Sequence, residues 1–87
     1  MKNIAVEFIG TLFFTYVIIA TGNFLAIGAA LALVVYIAGP ISGANVNPAV
    51  TIMMVMAGKQ DKSTLIPYIL VQVAAAIVAL EIYKRVN

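Results

Sequence analysis

Residues 42–51, SGANVNPAVT, form a polar interruption in a chain that is otherwise strongly apolar. The 87 residues are 64% hydrophobic and 9% charged, and the mean hydropathy is +1.13. This composition is typical of a membrane protein rather than a soluble one. Two Asn, a Gly and a Pro within ten residues therefore have to be explained in the context of a membrane.

Three apolar segments surround this stretch: residues 4–21, 24–39 and 65–83. The first is 18 residues long and would reach ~27 Å as a helix, close to the thickness of the hydrocarbon core. We therefore expect each segment to be a transmembrane helix. A secretory signal sequence is the alternative for residues 4–21, but Glu7 interrupts the apolar segment and no A-x-A cleavage pattern stands in the turn directly after it.

Between the second and third segments the sequence predicts a loop and a short helix. Pro40 and Gly43 indicate that the second helix ends near residue 39 and that residues 40–47 are irregular. Asn47 and Pro48 then predict a new helix, with Asn47 as the N-cap. This helix should cover residues 48–57, with Gly58 as its C-cap. Ten residues reach ~15 Å, so this helix is too short to cross a membrane.

Irregular backbone at membrane depth is tolerated where protein buries it or where it lines a water-filled path. We therefore expect residues 40–47 to be a re-entrant loop that lines such a path. The free N–H groups and partial positive charge at the start of the short helix would repel cations and donate hydrogen bonds to a neutral solute.

The charged residues and the residue types that are missing restrict the function further. The net charge is +2, and the basic residues flank the apolar segments without forming a run that would suit nucleic acid. There is no Cys and no His, so disulfides, thiol nucleophiles, zinc sites and imidazole catalysis are excluded. We expect no enzyme activity, no cofactor and no metal site.

The quoted stretch resembles the first NPA loop of the aquaporin and glycerol-facilitator family, the major intrinsic proteins. AVEFIGT (5–11), AIGAAL (26–31) and PYILVQVAAAIVA (67–79) are similar to the family's first three helices. The resemblance covers essentially the whole chain but only half of the family's usual length. It implies a single all-α membrane domain over residues 1–87, with three transmembrane helices and one re-entrant half-helix, equivalent to one of two inverted repeats.

The resemblance implies a passive channel for water or small neutral solutes such as glycerol, in a multi-pass protein that we expect in the cell membrane. Two inverted half-length subunits would form the pore. We expect an antiparallel homodimer, four of which would reproduce the family's tetramer of pores, and a separately encoded second half is the alternative partner. A non-conducting truncated or regulatory subunit and a small holin-like protein are the alternative functions.

The same resemblance gives roles to residues of the NPA loop. The Asn47 side-chain amide would donate to the solute, although it could instead serve only as an N-cap. Pro48 and Ala49 would set the helix start and the contact between the two half-helices. An acceptor ladder is expected from the backbone carbonyls of Gly43, Ala44, Asn45 and Val46, where Asn45 replaces the family's usual His.

Residues outside the loop receive roles in bracing and selectivity. Glu7 and Gln72 are expected to brace the loop, and for Glu7 the alternative is an interfacial position near the helix end. Val50 follows the NPA motif, where the family's second motif is followed by Arg. Ile27 stands where many members have Phe or Trp. The filter should therefore be more apolar than usual, and the sequence leaves the choice between water and glycerol open.

Overall fold

The computed structural model describes residues 2–87, except for the side chain of Lys2. It contains four α-helices and one short 3₁₀ turn. The helices are α1 (Lys2–Thr21), α2 (Phe24–Ser42), α3 (Pro48–Met56) and α4 (Leu65–Val86), and the 3₁₀ turn covers Lys62–Thr64. Three of these helices are long and apolar enough to cross a membrane. The predicted all-α fold of three long helices and one short helix is confirmed.

Helix α1 packs against both α2 and α4, and α3 packs against α4. Small residues allow the close approach of these helices. A Cβ atom at Gly10 would lie 3.2 Å from the Val34 side chain and 3.3 Å from that of Val46. Gly10 is therefore the point at which α1, α2 and the loop after α2 meet.

The prediction that Pro40 ends the second helix is wrong. Helix α2 continues through Pro40 to Ser42 and ends where Gly43 adopts a left-handed conformation, with φ of 88°. The Gly43 N–H bonds to the Gly39 carbonyl at 3.0 Å, which closes the last turn. Pro40 has no N–H for the carbonyl four residues before it, and membrane helices tolerate such a proline because neighbouring groups and local adjustments compensate for the lost bond. The irregular segment is consequently shorter than the predicted residues 40–47.

Two other helix ends differ from the predicted ones. Helix α3 ends at Met56 with Ala57 as its C-cap, and Gly58 follows in a left-handed conformation with φ of 74°. Gly58 therefore lies just beyond the cap position that was predicted for it. Helix α4 extends beyond residue 83 to Val86. Its charged last turn is stabilised by exposed pairs from Glu81 to Lys84 and Arg85, and basic residues suit the C-terminal end of the helix dipole.

Candidate functional site

The loop between α2 and α3 has an unusual backbone conformation. Three of its residues have positive φ: Gly43 at 88°, Ala44 at 47° and Val46 at 47°. A left-handed conformation is easily adopted by glycine but is rare for alanine and an outlier for a β-branched residue such as Val46. Such conformations persist only where the surrounding structure holds them. The contacts of the loop N–H groups therefore decide its shape.

The carboxylate of Glu7 fixes the loop by accepting hydrogen bonds from it. It is completely buried, and its Oε2 accepts hydrogen bonds from the Asn45 N–H at 3.0 Å and the Ser42 hydroxyl at 2.7 Å. Its Oε1 accepts the Val46 N–H at 2.9 Å and the Gln72 side-chain amide at 2.9 Å. All four partners donate, and four bonds use the acceptor capacity of a carboxylate.

A second set of side chains joins the loop to α3 and α4. The Thr51 hydroxyl, completely buried in α3, donates to Asn45 Oδ1 at 2.9 Å. It also accepts a hydrogen bond from Gln72 Nε2 at 2.8 Å. On α4, the Tyr68 hydroxyl donates to the Ser42 carbonyl at 2.7 Å and so fixes the end of α2. Side chains from all four helices therefore surround the loop.

Asn47 begins α3 and leaves one of its polar groups free. Its Oδ1 accepts the Ala49 N–H at 2.8 Å, which caps the helix, and Pro48 occupies the first helical position, where its missing N–H costs nothing. Asn47 is exposed. No group within residues 2–87 accepts a hydrogen bond from its Nδ2. Capping uses Oδ1 and therefore leaves the Nδ2 of the same side chain available as a donor.

Most N–H groups of the loop are hydrogen-bonded, whereas three of its carbonyl groups are not. The carbonyls of Ala44, Asn45 and Val46 receive no hydrogen bond from any group between residues 2 and 87, whereas the Gly43 carbonyl has a long contact of 3.5 Å with Asn45 Nδ2. The loop thus directs its donors into the protein and keeps three acceptors unpaired. This arrangement suits a polar solute that donates hydrogen bonds.

The remaining residues singled out in the sequence lie apart from this network. Ala49 is exposed and Val50 is half-buried on α3. Ile27 lies in the first turn of α2, where it is half-buried. One groove runs between α1 and α2, and another between α1 and α4. Neither Val50 nor Ile27 lines either groove. A filter role for these two residues remains a prediction.

Sequence reasoning gave no role to four polar residues that the structure places at or beside the site: Thr11, Ser42, Thr51 and Tyr68. All four are at least nine-tenths buried. The available signal was their position, since each is a polar side chain inside or next to an apolar segment, where such residues usually face protein. Within residues 2–87 no cluster of metal-binding side chains is present.

Comparison of the sequence with known proteins identifies a family and several relatives. A family model described as Major intrinsic protein matches residues 22–87. The glycerol uptake facilitator protein-like 6 of Lactiplantibacillus plantarum is 40% identical over 88 residues, which is 91% of this chain and 41% of that protein. Aquaporin Z of Bradyrhizobium diazoefficiens is 35% identical over 97 residues, or 94% of this chain and 40% of that protein.

A shorter match is to the glycerol uptake facilitator protein of Escherichia coli strain K12, which is 42% identical over 52 residues, or 60% of this chain and 18% of that protein. The chain spans about two fifths of the length of the first two relatives. No solved structure matches it at a significant level.

Proposed function

The chain belongs to the major intrinsic protein family, and we propose that it forms a passive channel for water or small neutral solutes such as glycerol. It is a multi-pass integral membrane protein with three helices of spanning length, and we place it in the cell membrane. Aquaporins and glycerol facilitators of this family are passive channels rather than enzymes, and we propose no reaction and no cofactor for this chain.

The observation that supports the proposal is that one loop contains both an unpaired hydrogen-bond donor and unpaired acceptors. Asn47 Nδ2 is unpaired on an exposed side chain, and three neighbouring loop carbonyls are unpaired as well. A water molecule or an alcohol can donate to a carbonyl and accept from the amide, and so exchange its hydration for this ladder. Cations are disfavoured by the positive end of the α3 dipole.

We propose that the pore is completed by a second three-helix unit in inverted orientation. In a single chain the Asn47 end of α3 is exposed. Lipid chains offer no hydrogen-bond partner to the polar groups at this helix end. A second copy of this chain is the partner that we propose, related to the first by a two-fold axis in the membrane plane. Four such dimers together would provide four pores. A separately encoded second half is the alternative partner.

Swelling of proteoliposomes tests the function directly. Purified protein would be reconstituted, and the light-scattering change would be followed after an osmotic step with an impermeant solute and then with glycerol. The proposal predicts accelerated water or glycerol flow with a lowered activation energy and no ion current. Vesicles that behave like protein-free ones would identify a non-conducting subunit. Leakage of trapped dyes of mixed sizes would instead identify a holin-like lesion.

A further inference from the structure

The connection between α3 and α4 returns beside the end of α2. It begins with a reversal of the chain at Gly58, which has a φ of 74°. Beyond the reversal the half-buried Gln60 lies next to Gly43, the exposed residue that ends α2. A Cβ atom on Gly43 would lie 3.7 Å from Gln60 Oε1 and 3.5 Å from Asn45 Nδ2. Because Gly43 has no side chain, two amide groups border a space beside it.

The orientation of the Asn45 amide is fixed by a chain of hydrogen bonds that starts at Glu7. A carboxylate only accepts, so the Gln72 group 2.9 Å from it is the N–H₂ end of that amide. Gln72 Nε2 also donates to Thr51 Oγ1 at 2.8 Å, so the Thr51 hydroxyl donates its proton to Asn45 Oδ1 at 2.9 Å. Asn45 therefore presents Nδ2 to Gly43, where its contact with the carbonyl is long, at 3.5 Å.

The orientation of the Gln60 amide is fixed in the same way by Thr64. The Thr64 hydroxyl donates its one proton to the Asp61 carbonyl at 2.6 Å. It therefore accepts from Gln60, whose Nε2 lies 2.8 Å away. The other branch of the amide, Oε1, faces Gly43, and no group in the described part of the chain donates to it. The space beside Gly43 thus has a donor and an acceptor at its border.

The charged neighbours of Gln60 place this space at the aqueous end of the loop. Lys59 and Asp61 are exposed, and charged side chains avoid the hydrocarbon core. Gly43 begins the loop, whereas Asn47 ends it at the start of α3. A solute that enters from this side therefore meets the space beside Gly43 before it reaches Asn47.

We propose that Asn45 Nδ2 and Gln60 Oε1 form a binding site for a hydroxyl group of a small polyol. The inference rests on the proposed function and names a solute class for it. A hydroxyl oxygen accepts one hydrogen bond and donates another, so a single hydroxyl satisfies both amides. Water can do the same, but a polyol such as glycerol also brings a second hydroxyl to the unpaired carbonyl of Ala44. Binding at two points favours the polyol over water.

NMR of the side-chain amides detects this site without relying on flow. The full-length chain would be isotopically labelled, placed in lipid nanodiscs and titrated with glycerol. We expect the side-chain N–H₂ signals of Asn45 and Gln60 to shift and to saturate. Asn23 is the matched control, because its Oδ1 also accepts a backbone N–H and its side chain is exposed. Its signal should change only linearly, as the bulk solvent changes.

Two variants separate solute binding from support of the connection. Gln60→Leu and Thr64→Val both lose the bond between these residues, but Thr64→Val retains the amide. Its oxygen still faces Asn45 Nδ2, since the reverse orientation would oppose two N–H₂ groups. Loss of one hydrogen bond to the solute should raise the half-saturating glycerol concentration at Asn45 about 2- to 10-fold in Gln60→Leu, whereas Thr64→Val should stay within about twofold.

A shift at Asn45 that never saturates, like the one expected at Asn23, would overturn the site. A half-saturating concentration for Gln60→Leu no higher than that for Thr64→Val would show that Gln60 only supports the connection, and would overturn the site as well. Proteoliposome swelling of the unmodified protein separates this inference from the proposed function. Saturation without flow keeps the site and refutes the channel, whereas flow without saturation keeps the channel and refutes the site.

Discussion

The carboxylate of Glu7 accepts the backbone N–H of Val46 at 2.9 Å across 39 positions of sequence. This bond joins the first half of α1 to a β-branched residue in a left-handed conformation with φ of 47°. Strain of this kind is stable only when other contacts impose it. The shape of the loop that presents Asn47 therefore depends on a side chain from another helix, and the predictions below follow from this dependence.

Replacing Glu7 with Gln should destabilise the protein and abolish solute flow. The amide retains one acceptor oxygen but directs an N–H₂ group at two of the four donors that now surround the carboxylate. Loss of a hydrogen bond to a charged group costs about 1.5–3 kcal/mol. Thermal unfolding in detergent would measure the loss of stability, and proteoliposome swelling the loss of flow.

Glu81→Gln is the matched control for that change. The Glu81 side chain is 49% exposed, and among the described residues 2–87 it pairs only with Lys84 and Arg85 on its own helix. Exposed pairs of this kind contribute roughly 0–1 kcal/mol, so this variant should retain its unfolding temperature and its flow. An unfolding temperature for Glu7→Gln equal to that of Glu81→Gln would show that the loop does not need the carboxylate.

Thr51→Val should lower stability while preserving side-chain volume. The hydroxyl of Thr51 joins Asn45 Oδ1 to Gln72 Nε2 in a site with no exposure. Without it Asn45 Oδ1 stays buried and unpaired, at a cost of about 1–3 kcal/mol. Thr21→Val removes a hydroxyl from an exposed position and should change the unfolding free energy far less. Equal losses in the two variants, measured by denaturant unfolding, would contradict this account.

Asn47→Asp should abolish or strongly reduce neutral solute flow without unfolding the protein. Aspartate is as good an N-cap as asparagine, so the bond to Ala49 N–H survives the change. The variant has lost the amide donor and places a negative charge at the positive end of α3, which attracts cations. Stopped-flow light scattering should report reduced water or glycerol flow at an unchanged unfolding temperature, and planar-bilayer recordings should be made for cation current.

Asn23→Asp provides the same chemical change at a cap outside the site. Asn23 is the N-cap of α2, and its Oδ1 accepts the Ala26 N–H at 3.0 Å. We expect this variant to conduct like the unmodified protein. If both substitutions reduce flow equally, the effect of Asn47→Asp comes from general disturbance of a helix start and not from its position at the loop.

The general architecture could be predicted because it depends on local chemistry. Apolar segments of spanning length predict helices wherever lipid is the solvent. The start of α3 could be predicted because Asn47 is a good N-cap and Pro48 is favoured at the first helical position. The end of α2 could not be read in this way. Pro40 was interpreted as a breaker, but a membrane helix can continue past a proline, and the left-handed Gly43 sets the end instead.

The buried network was harder to predict because it depends on contacts between distant positions. Glu7 and Gln72 are 65 positions apart. Nothing in the spacing of either segment indicates that the Gln72 amide donates to the Glu7 carboxylate. Thr51 and Tyr68 were overlooked because isolated polar residues in apolar helices have many possible partners. Polar residues within spanning segments usually face protein, which narrows their orientation without identifying the partner.

The last prediction concerns orientation in the membrane. With the N-terminus inside, Lys2, Lys59 and Lys62 would lie on the cytoplasmic side, and Lys84 and Arg85 on the other. Orientation follows the Lys and Arg imbalance in short loops, and three against two is a weak bias. We therefore expect copies to insert in both orientations, which would supply the inverted partner from a single gene. Reporter fusions at the C-terminus should be active on both sides of the membrane.

Adding two lysines before α4 tests whether dual orientation is needed for the pore. Gln60→Lys with Ser63→Lys raises the count on that side from three to five against two, which should fix most copies with the N-terminus inside. Flow should fall, because inverted partners become scarce. It should return when a copy with the opposite bias is co-expressed, in which Lys59→Gln, Lys62→Gln, Val86→Lys and Asn87→Lys leave one basic residue on that side against four on the other. The neutral pair Gln60→Asn with Ser63→Asn controls for damage to the loop. A C-terminal reporter on only one side of the membrane in the unmodified protein would refute the homodimer and leave a separately encoded second half as the partner.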